Sequence, residues 1–262
     1  MRPVESIVDS APPPSSRIDR ITFCLVSPES PGNIGSAARA LKNMGFSRLA
    51  LVSPTDPRGE ESIRMAYRSR EILNEARLFP DLSAALSETE WVVGISGRKR
   101  RGAGVESIET LAAEIWERAG RQKITLLFGS EGTGLSNEAL SRCHRTAFIP
   151  TGPRFSSLNL AQAVLLVAAA LHRASSLAPS PSSDPNGRPA PGIASVAETE
   201  SFFHEMERTL EEIGFLKPPA KKKTIRRLRE ILMRAEVDSE EAKLLRAMFR
   251  QMLRAAGKKK SN

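Results

Sequence analysis

Ile149 to Ala174 reads IPTGPRFSSLNLAQAVLLVAAALHRA. A strand end runs into a turn built on Gly152 and Pro153, and small polar residues then open a helix that is apolar on nearly every face. Such a helix must be buried on nearly all sides, by its own domain, by a second subunit, or by both. Ser156 or Ser157 is the expected N-cap, because a serine hydroxyl accepts a free N–H of the first turn. Exposed N–H groups at a helix start also suit a polar ligand. The stretch therefore reads as the floor of a ligand site, or as a capped core helix and no more.

Upstream, Ile21–Val26 (ITFCLV) is a short apolar run that reads as a buried strand. A turn at Pro28, Pro31 and Gly32 follows, then a helix from about Asn33 to Met44 with Gly45 as its left-handed stop, then a strand at Leu49–Val52. Strand, turn, helix, strand is a βαβ unit, and it implies an α/β fold with a parallel sheet. Further strands are expected at Trp91–Ile95, Ile124–Phe128 and Thr146–Ile149. Helices are expected at Glu61–Leu73, Asp81–Leu86 and Ile108–Arg118, with a short one capped by Ser136. Parallel sheets place ligands at the carboxyl ends of their strands. That selects the loops after Val26, Ile95 and Phe128 and the junction after Ile149. The glycines of GSEGTG (Gly129, Gly132, Gly134) let backbone approach a ligand, but the loop lacks the Gly-Lys-Ser/Thr of a phosphate-binding P-loop.

Charge divides the chain. Of 39 Lys and Arg and 30 Asp and Glu, fifteen basic and five acidic residues lie between Lys217 and Asn262, so the excess of +9 belongs to the C-terminal fifth. A basic helical module on a near-neutral body points to a polyanionic partner. Its helices are expected at Glu198–Ile213 and Thr224–Ala235, and from a capping box at Asp238 and Glu241 onward. The proline- and serine-rich run before it reads as a flexible linker, and the APPPSS segment near the N-terminus as a disordered leader. The expected division is residues 1–17 leader, 18–174 body, 175–196 linker and 197–262 basic extension.

Cys24 and Cys143 fit no metal-ligand spacing and read as core thiols of a reducing, cytoplasmic compartment. No run reaches the roughly 18 unbroken apolar residues of a membrane span, so no membrane partner and no metal are expected. His144, His172 and His204 form no nucleophile–base arrangement and read as structural. The candidate loops offer arginine, asparagine, serine and backbone, an inventory suited to positioning an anion.

Three motifs in order, PGNIGSAARALKNMGF, LLFGSEGTGLSNEAL and IPTGPRFSSLNLAQAV, resemble the signatures of the SpoU branch of the SPOUT RNA 2′-O-methyltransferases. MERTLEEIGF and TIRRLREILMRAEVDSEEAKLLRAMFRQML resemble the tail of the TrmJ-type tRNA methyltransferases. The resemblance implies a SPOUT domain ending in a trefoil knot, a homodimer, S-adenosylmethionine as cofactor, and tRNA as partner, methylated on the ribose 2′-hydroxyl of nucleotide 32 in the anticodon loop. It implies a catalytic set of Asn33, Arg39, Ser157 and Asn159. Cofactor contacts are implied at Ser96, Gly97, Gly129, Glu131, Gly134, Ile149, Ser157 and Leu158. RNA contacts are expected at Arg98, Arg100, Lys221, Lys222, Lys223, Arg226 and Arg227. Ser130 departs from the arginine common in the family. Ribosomal RNA as substrate, or RNA binding without catalysis, are the competing readings.

Overall fold

The computed structural model describes residues 17–97, 105–152, 154, 157–177 and 193–259. Arg98, Arg100, Pro153, Phe155, Ser156, the leader up to residue 16 and most of the expected linker lie outside them, while Arg17, expected in the leader, opens a short 3-10 turn that runs to Arg20. Seven strands, β1 (Ile21–Val26), β2 (Leu49–Val52), β3 (Arg77–Phe79), β4 (Trp91–Ser96), β5 (Val105–Ser107), β6 (Ile124–Phe128) and β7 (Arg145–Phe148), form one sheet in the order β3-β2-β1-β6-β4-β7-β5. All six pairings are parallel. The α/β expectation holds. The edge strands β3 and β5 were not legible, because three-residue strands that are partly exposed carry no continuous apolar run.

The central strands β1, β4 and β6 are buried along almost their whole length, as a parallel sheet covered on both faces requires. On one face lie α1 (Pro31–Asn43), α2 (Glu60–Ala66), α3 (Arg70–Glu75), α5 (Ile108–Arg118) and α7 (Leu160–Leu177), around Phe23, Leu25, Trp91, Leu126 and Phe128. On the other lie α4 (Leu82–Leu86) and α6 (Asn137–Ser141). Both cysteine thiols are buried here, and burial pushes each up to about 12. The expected helix at Glu61–Leu73 is two helices, broken at Tyr67, whose φ is +50°.

At 18 residues and a mean hydropathy of 1.4, α7 has the length and apolarity to cross a membrane. Here Leu160, Val164, Val167, Ala168 and Leu171 sit in the core between α1 and α5, and Leu166 is exposed. Its cap is a correction to the reading above. The helix starts three residues later than Ser157, and Asn159 Oδ1 accepts from the N–H of Ala161 (2.9 Å) and of Gln162 (3.3 Å).

Beyond the sheet lie α8 (Val196–Glu212), α9 (Lys221–Ala235) and α10 (Ser239–Lys259). Each of the first and last opens on a capping box, at Ser195/Glu198 and Asp238/Glu241. The three share their own core of Phe202, Phe203, Met206, Leu210, Ile225 and Met233. They are tied to the body at Glu236, a left-handed residue that ends α9. Its carboxylate accepts from Trp91 Nε1 (3.2 Å) and pairs with Arg118 (3.0 Å) and Arg145 (3.1 Å), all three on the body.

Candidate active site

A cavity of about 270 Å³ opens at the carboxyl ends of β4 and β6 and beyond β7. The carboxyl ends of the strands of a parallel sheet are the expected place for a ligand. Ile95, Ser96 and Gly97 line it from β4, Phe128 to Leu135 from the loop after β6, and Ile149, Ser157, Leu158 and Leu160 from the junction into α7. Every residue expected to contact the cofactor is on this wall. The loop after β1 does not line it.

That loop is instead clasped to the cavity by Glu131. Its Oε2 accepts from the N–H of Glu29 (2.8 Å), and its Oε1 from the N–H of Ser30 (3.1 Å) and from Asn33 Nδ2 (2.7 Å). Asn33 Oδ1 in turn accepts from Asn159 Nδ2 (2.8 Å). One hydrogen-bonded chain thus joins the turn after β6, the start of α1 and the start of α7. Burial raises the Glu131 carboxyl, but the Asn33 amide and the backbone N–H groups outweigh it and hold the group below the usual carboxylate range. Charge-assisted bonds of this kind are stronger than neutral ones.

The glycines act on the protein before any ligand. A Cβ at Gly129 would overlap the backbone of Gly134 and Leu135, so Gly129 lets the loop close on itself. At Gly134 the φ is +67° and the Cβ direction is open. Ser130, where the resemblance implied an arginine, holds the same turn. Its hydroxyl lies 3.0 Å from Thr133 Oγ1 and accepts from the Thr133 N–H (3.4 Å).

Asn33, Ser157 and Asn159 gather at this cavity or one bond from it. Arg39 does not line it. It lies exposed on α1, its guanidinium 5.6 Å from the centre of the Tyr67 ring. Arg68 stands over the same ring at 5.8 Å. Contacts of this kind are worth about 0.5–1 kcal/mol each when exposed. A non-glycine residue at such a φ costs about 1–3 kcal/mol, so the two contacts together are of the same order as that cost. No motif had singled out Tyr67, because only the folded chain brings it to Arg39.

The expected RNA contacts divide. Lys222 and Lys223 are exposed on α9, as is Arg227, which also pairs with Glu230 at 3.9 Å. Lys221 is paired with Glu207 and Glu211, and Arg226 with Glu230. His144 is buried, and its Nδ1 accepts from the N–H of Val92 (3.0 Å). Burial, and then the charges of Arg118 and Arg145, lower it to about 3. It is structural, as expected.

Residues 20–169 match the model of the SpoU rRNA Methylase family. The chain belongs to that family. Residues 197–261 of the methyltransferase match a second model, the C-terminal domain of the tRNA methyltransferase TrmJ. The chain is 33% identical to a tRNA (cytidine/uridine-2′-O-)-methyltransferase TrmJ of Pectobacterium atrosepticum, over 88% of this chain and 96% of that one. It is 34% identical to a tRNA (cytidine/uridine/adenosine-2′-O-)-methyltransferase TrmJ of Pseudomonas aeruginosa, over 91% and 96%. Among solved structures, TrmJ from Z. mobilis ZM4 superposes with a TM-score of 0.77 at 30% identity, covering 88% of this chain and 98% of that chain. A probable methylase family protein from Haemophilus influenzae Rd KW20 superposes at 0.58 and 31% identity, covering 93% and 98%.

Proposed function

We propose that this enzyme methylates the ribose 2′-hydroxyl of nucleotide 32 in the anticodon loop of tRNA, working as a homodimer with a knotted cofactor site. The observation that carries the reading is the cavity at the carboxyl ends of β4 and β6, held by the Glu131–Asn33–Asn159 chain. The tRNA 2′-O-methyltransferases named above, similar along almost the whole chain, support the choice of substrate.

The cavity residues fit S-adenosylmethionine, which supplies an electrophilic methyl on a sulfonium. Ile95, Ile149, Leu158 and Leu160 offer apolar walls for a heteroaromatic base, and the peptide groups around Gly129 and Gly134 offer donors and acceptors for its edge. The volume lies near the lower end of the roughly 300–1,000 Å³ usual for small-molecule sites. Asn33 and Asn159 fix the loop ends, so the hydroxyl acceptor meets a site whose geometry is already set. Arg39 holds the phosphate next to the target ribose and stabilises the charge that develops on the 2′-oxygen. Guanidinium keeps its protons in proteins, so the hydroxyl proton leaves to water or to a phosphate oxygen. The exposed Lys222, Lys223 and Arg227 add affinity by neutralising phosphates.

The test is methyl transfer from labelled S-adenosylmethionine to total tRNA and to ribosomal RNA, with nuclease digestion and mass mapping. One 2′-O-methyl at nucleotide 32, lost with Arg39→Ala, is the expected result. Label in ribosomal RNA alone would overturn the substrate, and cofactor binding without any label would overturn the activity. Arg39→Lys separates its two contributions: recovery of most turnover means that charge suffices, and inactivity means that the planar fork is required.

A further inference from the structure

Tyr67 is the only tyrosine in the chain, and it stands at the surface, 59% exposed. Its backbone, at φ 50° and ψ −111°, interrupts what would otherwise continue from α2 into α3. Glycine would adopt this conformation without a Cβ penalty. A strained φ of this kind persists only where the surrounding structure holds it, and such positions cluster at functional sites. Two guanidinium groups stand over the ring, that of Arg39 from α1 at 5.6 Å from its centre and that of Arg68 from its own segment at 5.8 Å. An exposed aromatic face bordered by cations is the arrangement that takes an unpaired nucleotide, the base stacking on the ring while the phosphates meet the charges.

We propose that Tyr67 is a stacking residue for an unpaired base of the substrate RNA, next to the phosphate that Arg39 holds. The inference rests on the tRNA methylation reading for the place of Arg39. It assigns to the break between α2 and α3 a part in substrate recognition that lies outside the cofactor cavity. The break is rigidly placed, because α2 packs against α1 through Gly35, where a Cβ would overlap the carbonyl oxygen of Ser62. Tyr67 and Arg39 therefore keep one relative position.

Tyr67→Gly and Tyr67→Phe test it in the full-length enzyme. Four quantities are measured: the Kd for a fluorescent anticodon stem–loop RNA, KM and kcat on tRNA, the Kd for S-adenosylmethionine, and Tm with solution mass. For Tyr67→Gly we expect the RNA Kd and the KM to rise about tenfold, the loss of one stacked base. Cofactor affinity stays constant and Tm falls by no more than about 2 °C, since the strain leaves with the ring. Tyr67→Phe restores RNA affinity to within about twofold, because stacking needs only the ring face. An unchanged RNA Kd in Tyr67→Gly overturns the proposal. So does a changed solution mass, which would assign the ring to contact between subunits. The stem–loop Kd needs no turnover, so a wild-type enzyme that methylates no tRNA would end the functional reading while this comparison still decides the role of Tyr67.

Discussion

At the scale of single residues, two titratable groups do different things in acid. His144 is held neutral: its Nδ1 faces the Val92 N–H, so a proton has no place there without breaking that bond. Its folded value, about 3, lies below that of the unfolded chain, about 6.5. The unfolded state therefore binds the extra proton first. Stability from this residue is complete above pH 6.5 and declines as pH falls toward 3. Urea unfolding at pH 7 and pH 5 should differ by about 2 kcal/mol from this group. His144→Gln should lower stability at pH 7 but flatten the decline between pH 6.5 and 5; an equally steep decline in the variant would remove His144 as its source. Glu131 acts lower on the scale. Its folded value is depressed, so its contribution is present above the ordinary carboxylate range and is lost as pH falls below about 4. Glu131→Ala leaves the N–H groups of Glu29 and Ser30 and the Asn33 amide without their acceptor. We expect about 1–3 kcal/mol of lost stability, and a fall in methyl transfer of at least about tenfold as the start of α1 loses its tie to the cavity. Thermal melts and single-turnover transfer check the two effects separately.

At the scale of elements, the cofactor loop and the α1–α2 pair both depend on a backbone approach that only glycine allows. Gly129→Ala would drive a methyl into the peptide between Gly134 and Leu135, on the wall of the cavity. The loop has to move, and we expect S-adenosylmethionine affinity to drop by about tenfold or more, read by calorimetry. Gly35→Ala would strike Ser62 and Ala66 on α2, with no cavity residue involved. It should cost about 1–3 kcal/mol by overpacking, lowering Tm by about 2–4 °C for each kcal/mol, with cofactor affinity retained. Equal loss of cofactor affinity in both variants would mean that the loop and the helix pair are not independent. The start of α7 shows why caps are hard to place from a run of candidates. Two serines, Ser156 and Ser157, were the expected caps, and neither the run nor its spacing pointed to Asn159. Asn159 also reaches Asn33 across 126 positions of sequence, and that tertiary bond accompanies its selection as the cap.

At the scale of the whole molecule, α8 to α10 carry their own core and meet the body through Val196, buried against the second face of the sheet, and through a charged contact. Glu236 gathers Trp91, Arg118 and Arg145, with its side chain 18% exposed and each arginine 23%. Arg142 and Arg229 add a second tie at Glu200. Removing one partner from a mostly buried pair leaves the others uncompensated. Glu236→Gln should lower stability by about 2 kcal/mol or more, and tRNA affinity should fall further than cofactor affinity as the basic helices lose their fixed position. Binding of both ligands to the variant checks this; equal affinity for tRNA would mean that the clamp stabilises the fold without placing the RNA-binding face. Deleting residues 217–262 should weaken tRNA binding and flatten its salt dependence, while S-adenosylmethionine still binds.

Much of this protein was legible before folding was considered. The apolar runs Ile21–Val26, Trp91–Ile95 and Ile124–Phe128 are short and bounded by polar and turn residues, which reads as buried strands, and the βαβ order made the sheet parallel. Three of the four junctions chosen as carboxyl ends of strands, those after Ile95, Phe128 and Ile149, mark the cavity, because a parallel sheet places ligands there. The clustering of charge marked a basic extension. What only the tertiary structure decided is which distant groups meet. Glu131 with Asn33, Tyr67 with Arg39, and Glu236 with Trp91 are separated by 98 residues in the first case and 145 in the last. The local sequence around each obeys its own helix, turn or strand preferences and carries no record of the partner. Their meeting follows from the order of strands in the sheet, which the burial of all the elements together determines.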